Sequence, residues 1–329
     1  MGLFNQVGKL LKKNKVKFET IKNEFPEKEI ITAGIDVSIY LFQSMKNSEA
    51  AAQFHTKPHM PATKIVKHLQ FLMKLLKLHN INAIYVFDGE KHPRKLVAAE
   101  RSNARDTALE KMEEIKQKVV RQDGKATSDD YKQFQKAAIA SAKPRLCDIA
   151  YAIKYLKENN CNVVVAPYEA DHQLVYFFNT QQIDFIISRD LDYFIYNTIL
   201  FADLTLQGTG YIINNKKMEN LSDRQLQIMG LFYGCDYYHI SRSSKGKIEN
   251  YFQQIKNCNN DVEREEVIIK NFINEFKGGA VATLDNEFQI FNNALLFLNI
   301  APAFMYDSTT EKVSLVTLNI NEWKWWEYK

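Results

Sequence analysis

Five times in this 329-residue chain, an apolar run that reads as a buried strand ends on, or just before, an acidic residue. The run from Ile30 to Ile35 leads to Asp36, and that from Ile81 to Phe87 leads to Asp88. Val163 to Tyr168 leads to Glu169, with Asp171 two residues further on. Phe185 to Arg189 leads to Asp190, again with Asp192 two further on. The last run, Ile228 to Cys235, reads more as helix and leads to Asp236. In an open parallel α/β sheet, ligands bind outside the carboxyl ends of the strands. The seven acids are therefore expected to gather at one edge. Gathered carboxylates repel one another unless cations sit among them, and oxygen donors of this kind suit Mg2+ or Mn2+.

Taken singly, each acid has a plain structural explanation. Asp36 and Asp88 can simply end strands, and Asp88-Gly89 is a common turn pair. Glu169 and Asp171 fall where a helix begins, and acids there favour the helix dipole. Asp190 and Asp192 can be loop acids. What favours a shared role is that five separate segments deliver acids to the same expected edge.

The chain alternates strand and helix over roughly its first 205 residues, which predicts a mostly parallel sheet flanked by helices. Strands are expected at 29–36, 81–87, 161–166, 184–188 and 198–202. A helix with apolar spacing at Ile65, Leu69, Leu72, Leu75 and Leu76 is expected over 60–79, giving a β-α-β crossover. A short basic helix is expected at 3–13, one helix or two over 128–158, and another over 168–179. Residues 91–125 carry ten Lys or Arg against six Asp or Glu and read as a solvated helical excursion. After Leu221 the chain is expected to be mainly helical, interrupted at Gly278-Gly279. A hairpin is expected near 303–318. The division implied is a core of residues 1–220, with an arch at about 91–126, followed by a helical region of residues 221–329.

Net charge is only +4, so charge alone does not predict a nucleic-acid partner. No apolar stretch is long enough to span a bilayer. The four cysteines show neither C-x-x-C nor zinc spacing and read as reduced thiols, three of them buried. Lys9, Lys12, Lys13, Lys15 and Lys17 precede the first acid, Glu19. That is a partial match to a transit peptide, without its Arg and Ser. Gln6 stands where myristoylation after Gly2 needs Ser or Thr.

Two divalent ions about 4 Å apart can stabilise both the attacking and the leaving oxygens of a phosphodiester. No Ser-His or Cys-His pair is then needed, and no phosphate-binding G-x-x-x-x-G-K-[ST] motif is present. His172 beside Asp171 reads as a packing residue. Lys91, Arg94, Lys95, Arg101 and Arg105 follow Asp88 closely and can grip phosphates, although such a helix alone would read as a solvated surface. Phe42 can stack on a base or belong to the core.

At this point the chain resembles the metal-dependent 5′ nucleases that include flap endonuclease, exonuclease 1 and XPG. Val165 to Leu174 (VAPYEADHQL) is similar to that family's internal signature, closest to the exonuclease 1 branch. Val86-Phe87-Asp88-Gly89, Gly34-Ile35-Asp36 and Gly234-Cys235-Asp236-Tyr237 are similar to other family motifs. So are Met1-Gly2-Leu3 at the start and Glu100-Arg101-Ser102 with Arg105 at the arch. The resemblance implies a PIN-like 5′ nuclease fold with a helical arch and a C-terminal helical region. It implies that Asp36, Asp88, Glu169, Asp171, Asp190, Asp192 and Asp236 hold two Mg2+ ions, with Mn2+ as a substitute. Lys95 and Arg101 would engage the scissile phosphate, Phe42 would stack near the scissile nucleotide, and Gly2 would lie close to the nucleic acid. The implied substrate is DNA with a 5′ end or flap, in replication or repair, and the implied compartment is the nucleus, with the mitochondrion as alternative.

The chain also departs from the family. Arg189 stands where an acid is usual, and the glycine-rich hairpin expected after Asp236 keeps only Gly246, with Arg242, Lys245 and Lys247 as substitute phosphate contacts. No sliding-clamp box is recognisable, and protein partners stay open. A second reading is therefore a catalytically retired member serving as a nucleic-acid-binding or structural subunit. An RNA substrate is a third.

Overall fold

The computed structural model describes residues 15–62, 64–90, 97–122, 124–190, 192–214, 222–235, 238, 245–258, 261–277, 281–300, 302–307 and 312–317. The short helix expected at 3–13 lies outside them. Their centre is a seven-stranded sheet. Its order is β1 (Val16–Lys17), β7 (Thr209–Asn214), β6 (Ile199–Ala202), β5 (Phe185–Ser188), β2 (Ile31–Asp36), β3 (Ile81–Phe87) and β4 (Asn162–Val165). The pairings from β6 through β4 are parallel, and β7 runs antiparallel to both β6 and β1. The mostly parallel, helix-flanked sheet is thus as the sequence predicts, with an antiparallel margin added.

Alternate strand residues serve two cores. Ile31, Ala33 and Ile35 of β2 join Tyr85, Phe87, Phe185, Ile187 and Phe201 on one face. There they pack under α1 (Val37–Met45), α2 (Ser48–Thr56), α3 (Lys67–Leu78) and α6 (Leu146–Glu158). Val86, Ile186, Leu200, Ala202 and Ile213 point to the other face. That face is covered by α7 (Ala170–Asn179), α8 (Asp223–Tyr233), α9 (Lys245–Lys256), α10 (Val262–Lys277) and α11 (Val281–Ile300). Strands buried on both faces read as continuous apolar runs, the usual signature of parallel sheet. Phe18 meets Phe185 and Phe201 at ring-centroid distances of 6.3 and 5.0 Å, and truncating any one of them is expected to cost about 3–5 kcal/mol. Gly34 lets α7 approach β2, because a Cβ there would lie 2.5 Å from Leu174 and 2.4 Å from Ile183.

The excursion between β3 and β4 is a helical pair, α4 (Val97–Arg121) and α5 (Ser128–Ser141). Thr127 and Asp130 form a capping box that starts α5, and the Lys118 ammonium reaches Asp130 at 2.6 Å. Pro144 ends the run, since it can neither donate to a helix nor let its predecessor stay helical, so 128–158 is two helices. Asp148, wholly buried in the first turn of α6, accepts from the Ala62 amide at 2.7 Å and the Arg145 amide at 2.9 Å. The Arg145 guanidinium donates to the same carboxylate at 2.9 Å and to the carbonyls of Lys57 and Met60 at 2.8 and 2.6 Å. This binds the chain after α2 to α6. Residues 64–66 form a turn, the Ile65 amide donating to the Ala62 carbonyl at 2.9 Å, and helix α3 starts at Lys67 rather than near Pro61.

The terminal hairpin pairs β8 (Pro302–Asp307) with β9 (Lys312–Thr317). All four cysteines are free, but only Cys235 and Cys258 are buried. Cys147 and Cys161, at the two ends of α6, are half-exposed, which corrects the expectation of three buried thiols. Among the described residues no helix is long and apolar enough to cross a membrane.

Candidate active site at the acidic sheet edge

Asp36 is the last residue of β2 and the N-cap of α1, only 5% exposed. Its carboxylate accepts a hydrogen bond from the Ser188 hydroxyl at 2.9 Å. Burial, and then the charge of Asp88, push its carboxyl up to about 8, with Asp190 adding to the rise; the Ser188 hydroxyl works in the opposite direction. The acid is thus withdrawn from water beside two other acids.

Asp88 follows β3 and is exposed. Its carboxylate accepts from the Ala170 amide at 2.9 Å, so it caps α7 from the neighbouring strand's loop. That amide would otherwise be one of the helix's unpaired donors, and the helix dipole favours an anion there. The Gly89 amide donates to the Tyr168 carbonyl at 2.6 Å and that of Glu90 to Pro167 at 3.2 Å. A Cβ at Gly89 would sit 1.9 Å from the Ala166 carbonyl oxygen, so only glycine permits this join. The loops after β3 and β4 are thereby laced together, bringing Asp88 to Glu169, the N-cap of α7, and to Asp171 in its first turn.

Asp190 and Asp192 leave β5 under the control of Ser188. The Asp190 amide donates to the Ser188 hydroxyl at 3.0 Å, and the Asp192 amide to the Asp190 carboxylate at 3.1 Å. A short 3-10 turn, Asp192–Tyr196, then buries Tyr193 and Tyr196. Burial, followed by Asp171, raises the Tyr193 hydroxyl well above its ordinary range, with Asp36 and Asp190 contributing. The hydroxyl is directed towards Asp171 without closing a well-formed hydrogen bond. Tyr196 is raised for the same first two reasons, and then by Cys235, Asp192 and Asp190. It bonds to His172 at 3.1 Å, which makes that histidine a buried packing residue.

Asp36, Asp88, Asp171, Asp190 and Asp192 therefore lie within electrostatic reach of one neighbourhood. Among the described residues, no three His, Cys, Asp or Glu side chains close to the spacing that would hold a metal ion. Asp236 lies outside the described residues. The donor chemistry fits a hard divalent cation, because the acids are all oxygen donors and like charges so placed repel one another without one.

Arg189 points away from this edge. Its guanidinium pairs with Asp203 at 2.7 Å, and the Lys15 ammonium lies 3.8 Å from the same carboxylate. Phe42 on α1 is 40% exposed and is no core residue. The Arg105 guanidinium of α4 stands 5.7 Å from its ring centroid, a cation–π spacing that tethers α4 to α1. Arg101 falls on α4 and Lys245 opens α9, whereas Gly2, Arg94, Lys95 and Arg242 lie outside the described residues. The exposed Lys247 is held by Glu275, whose other oxygen accepts from Tyr251 at 2.7 Å. Sequence reasoning missed Ser188 and Asp203. Asp203 carries the same signal as the other acids, since it ends the apolar run Ile199 to Ala202.

Two family models match the chain: XPG N-terminal domain over residues 2–108 and XPG I-region over residues 160–236. Exonuclease 1 of Arabidopsis thaliana is 30% identical over 184 residues, covering 52% of this chain and 24% of that protein. Exodeoxyribonuclease 1 of Saccharomyces cerevisiae is 27% identical over 269 residues, covering 76% of this chain and 37% of its own. The chain thus spans about a quarter to little more than a third of these relatives' length. Among solved structures, the catalytic core of Rad2 in complex with DNA substrate aligns with a TM-score of 0.47 and 16% identity, over 85% of this chain and 76% of that one.

Proposed function

The chain belongs to the XPG family of nucleases, which includes flap endonuclease and exonuclease 1, and from that premise we propose that it is a divalent-metal-dependent 5′ nuclease hydrolysing DNA at 5′ ends or flaps. The observation that carries this reading is geometric: the Ser188 hydroxyl joins buried Asp36 to the Asp190 amide at one end of the sheet, where Asp88 caps the helix that carries Asp171. Acids gathered in this way repel one another unless a hard cation sits among them. Asp36, Asp88, Glu169, Asp171, Asp190, Asp192 and Asp236 would hold two Mg2+ ions, with Mn2+ as a substitute. When bound, these ions supply Lewis-acid stabilisation of the charge that develops on the phosphodiester.

The chain's own residues do the rest. Ser188 orients Asp36 and anchors the Asp190 amide, and the Ala170 amide fixes the direction of Asp88. Lys95 and Arg101 would bind the scissile phosphate and offset its added charge. Phe42 would offer an exposed ring to a base, with Arg105 beside it. Arg94, Gly2, Arg242, Lys245 and Lys247 would line the path of the nucleic acid, Lys247 only after release from Glu275. Residues 1–220 would form the nuclease core and 221–329 a helical region that steadies the duplex. The compartment proposed is the nucleus. The outward pairing of Arg189 with Asp203 weighs against catalytic retirement, because it leaves the carboxylates without an internal cation from that side chain.

Mg2+-dependent cleavage of a 5′-flap and a 5′-recessed duplex tests the proposal. Asp88→Ala and Asp190→Ala are each expected to lose at least about 10²-fold to 10³-fold in rate. Cleavage unchanged in both variants would rule out this site. Flap binding by the unaltered protein without Mg2+-dependent cleavage would identify a retired member instead.

A further inference from the structure

We infer that Asp203 is a positioning residue that holds the Arg189 guanidinium away from Asp36 and Asp190, keeping those carboxylates open to divalent ions. The inference rests on the metal-dependent reading above. Arg189 sits between Ser188 and Asp190, the two residues that organise the acidic edge. The Ser188 hydroxyl donates to Asp36 at 2.9 Å and accepts from the Asp190 amide at 3.0 Å. The Ser188 carbonyl accepts from the amide of Asp203 at 3.2 Å. The acid that captures Arg189 is therefore fastened to the residue that steers the two carboxylates.

Two features make Asp203 suited to this task. Its backbone adopts φ +50, a left-handed conformation that Asp, Asn and Gly enter more readily than other residues. That bend ends β6 and presents the carboxylate to Arg189 at 2.7 Å. The second feature is proximity to the competing acids. Tyr40 carries a buried hydroxyl with no hydrogen-bond partner. After burial, its ionisation is opposed by Asp36, favoured by Arg189 and opposed by Asp203. One side chain thus senses both the ion pair and the acidic edge.

A guanidinium prefers a carboxylate it can grip with two parallel hydrogen bonds. Released from Asp203, Arg189 would be drawn to Asp190, its neighbour in the chain, and to Asp36, which the preceding Ser188 already contacts. Placed there, it would neutralise the donors and exclude the ion. Two acids that both end apolar runs then have opposite duties: Asp190 to offer its charge, Asp203 to occupy the arginine's.

Isothermal titration of the full chain with Mg2+ tests this in four proteins: unaltered, Asp203→Asn, Arg189→Gln and the double variant. Asparagine tolerates the left-handed φ and removes the charge, and Asp203→Gly is a second route to the same loss. Asp203→Asn is expected to weaken Mg2+ binding about tenfold. Arg189→Gln is expected not to weaken it, and the double variant to match Arg189→Gln within about twofold. Asp203 variants that bind Mg2+ as the unaltered protein does would overturn the inference alone. So would a double variant as weak as Asp203→Asn, because the acid would then act through the turn and not the arginine. An unaltered protein that binds no Mg2+ would overturn both this inference and the proposed function.

Discussion

Asp36 and Asp148 are both withdrawn from water, 5% and 0% exposed, and their surroundings are opposite. Asp148 is ringed by donors: two backbone amides and the Arg145 guanidinium, which also ties the segment after α2 to the start of α6. Asp36 has the Ser188 hydroxyl and the Ile39 amide as donors, no paired cation among the described residues, and acids for neighbours. A buried carboxylate that the protein itself satisfies is a rivet of the scaffold. One that the protein crowds with like charge has a use for something from outside. Burial alone does not separate the two, but the sign of the neighbours does.

The largest expected effect lies on the scaffold side. Arg145→Met leaves Asp148 buried and short of its cation, and should lower stability by about 3–5 kcal/mol, read from urea unfolding. A loss below about 1 kcal/mol would mean that the hub is no rivet. The acidic edge should behave in the opposite direction. Asp36→Asn should stabilise the protein by about 0.5–2 kcal/mol in EDTA and abolish cleavage in Mg2+, since a site strained for function gains stability when relieved. A destabilised Asp36→Asn would remove the contrast.

The smallest effect sharpens the rule at the protein's margin. Asp130 is another acid among donors, brought from an ordinary 3.8 down to about 2 by hydrogen bonds from Lys118 and then Thr127. A depressed carboxylate adds stability that is present above its unfolded value and fades as pH falls through the folded one. The stability difference between the unaltered protein and Asp130→Asn should therefore be constant above about pH 4 and shrink towards pH 2. Hydrogen exchange in α5, followed across that range, would measure it. A difference that does not vary with pH would show that Asp130 acts through its shape alone.

The parallel strands are legible in the sequence because burial on both faces writes them as unbroken apolar runs. The acids at their ends are legible for the same reason. Helices α1 and α2 are not. Val37-Ser38-Ile39-Tyr40-Leu41-Phe42 is rich in β-branched and aromatic side chains that locally disfavour helix, and it becomes helical because Tyr40 and Leu41 find burial against the sheet. Strand β7 escapes because its pairing to β6 depends on the turn after Asp203 and the positive φ of Gly208. Within the site, the carriers of chemistry could be read and their holders could not. Ser188 shows its role only when folding brings Asp36, 152 residues away, to its hydroxyl, and Asp203 only when β6 pairs with β5, although Asp203 satisfies the strand-end rule as fully as the other acids.

The lacing of the Gly89 loop to the Tyr168 loop has a consequence for how this architecture can vary through descent. The helical pair of the arch leaves the sheet after β3, and its departing end is fastened to the loop after β4 by backbone bonds that no arch side chain supplies. Insertions or deletions at the turn between α4 and α5 would alter closure entropy only logarithmically, by about 0.6 kcal/mol for each doubling of length. The span of the arch can therefore drift among descendants while the chemistry at its foot stays in register.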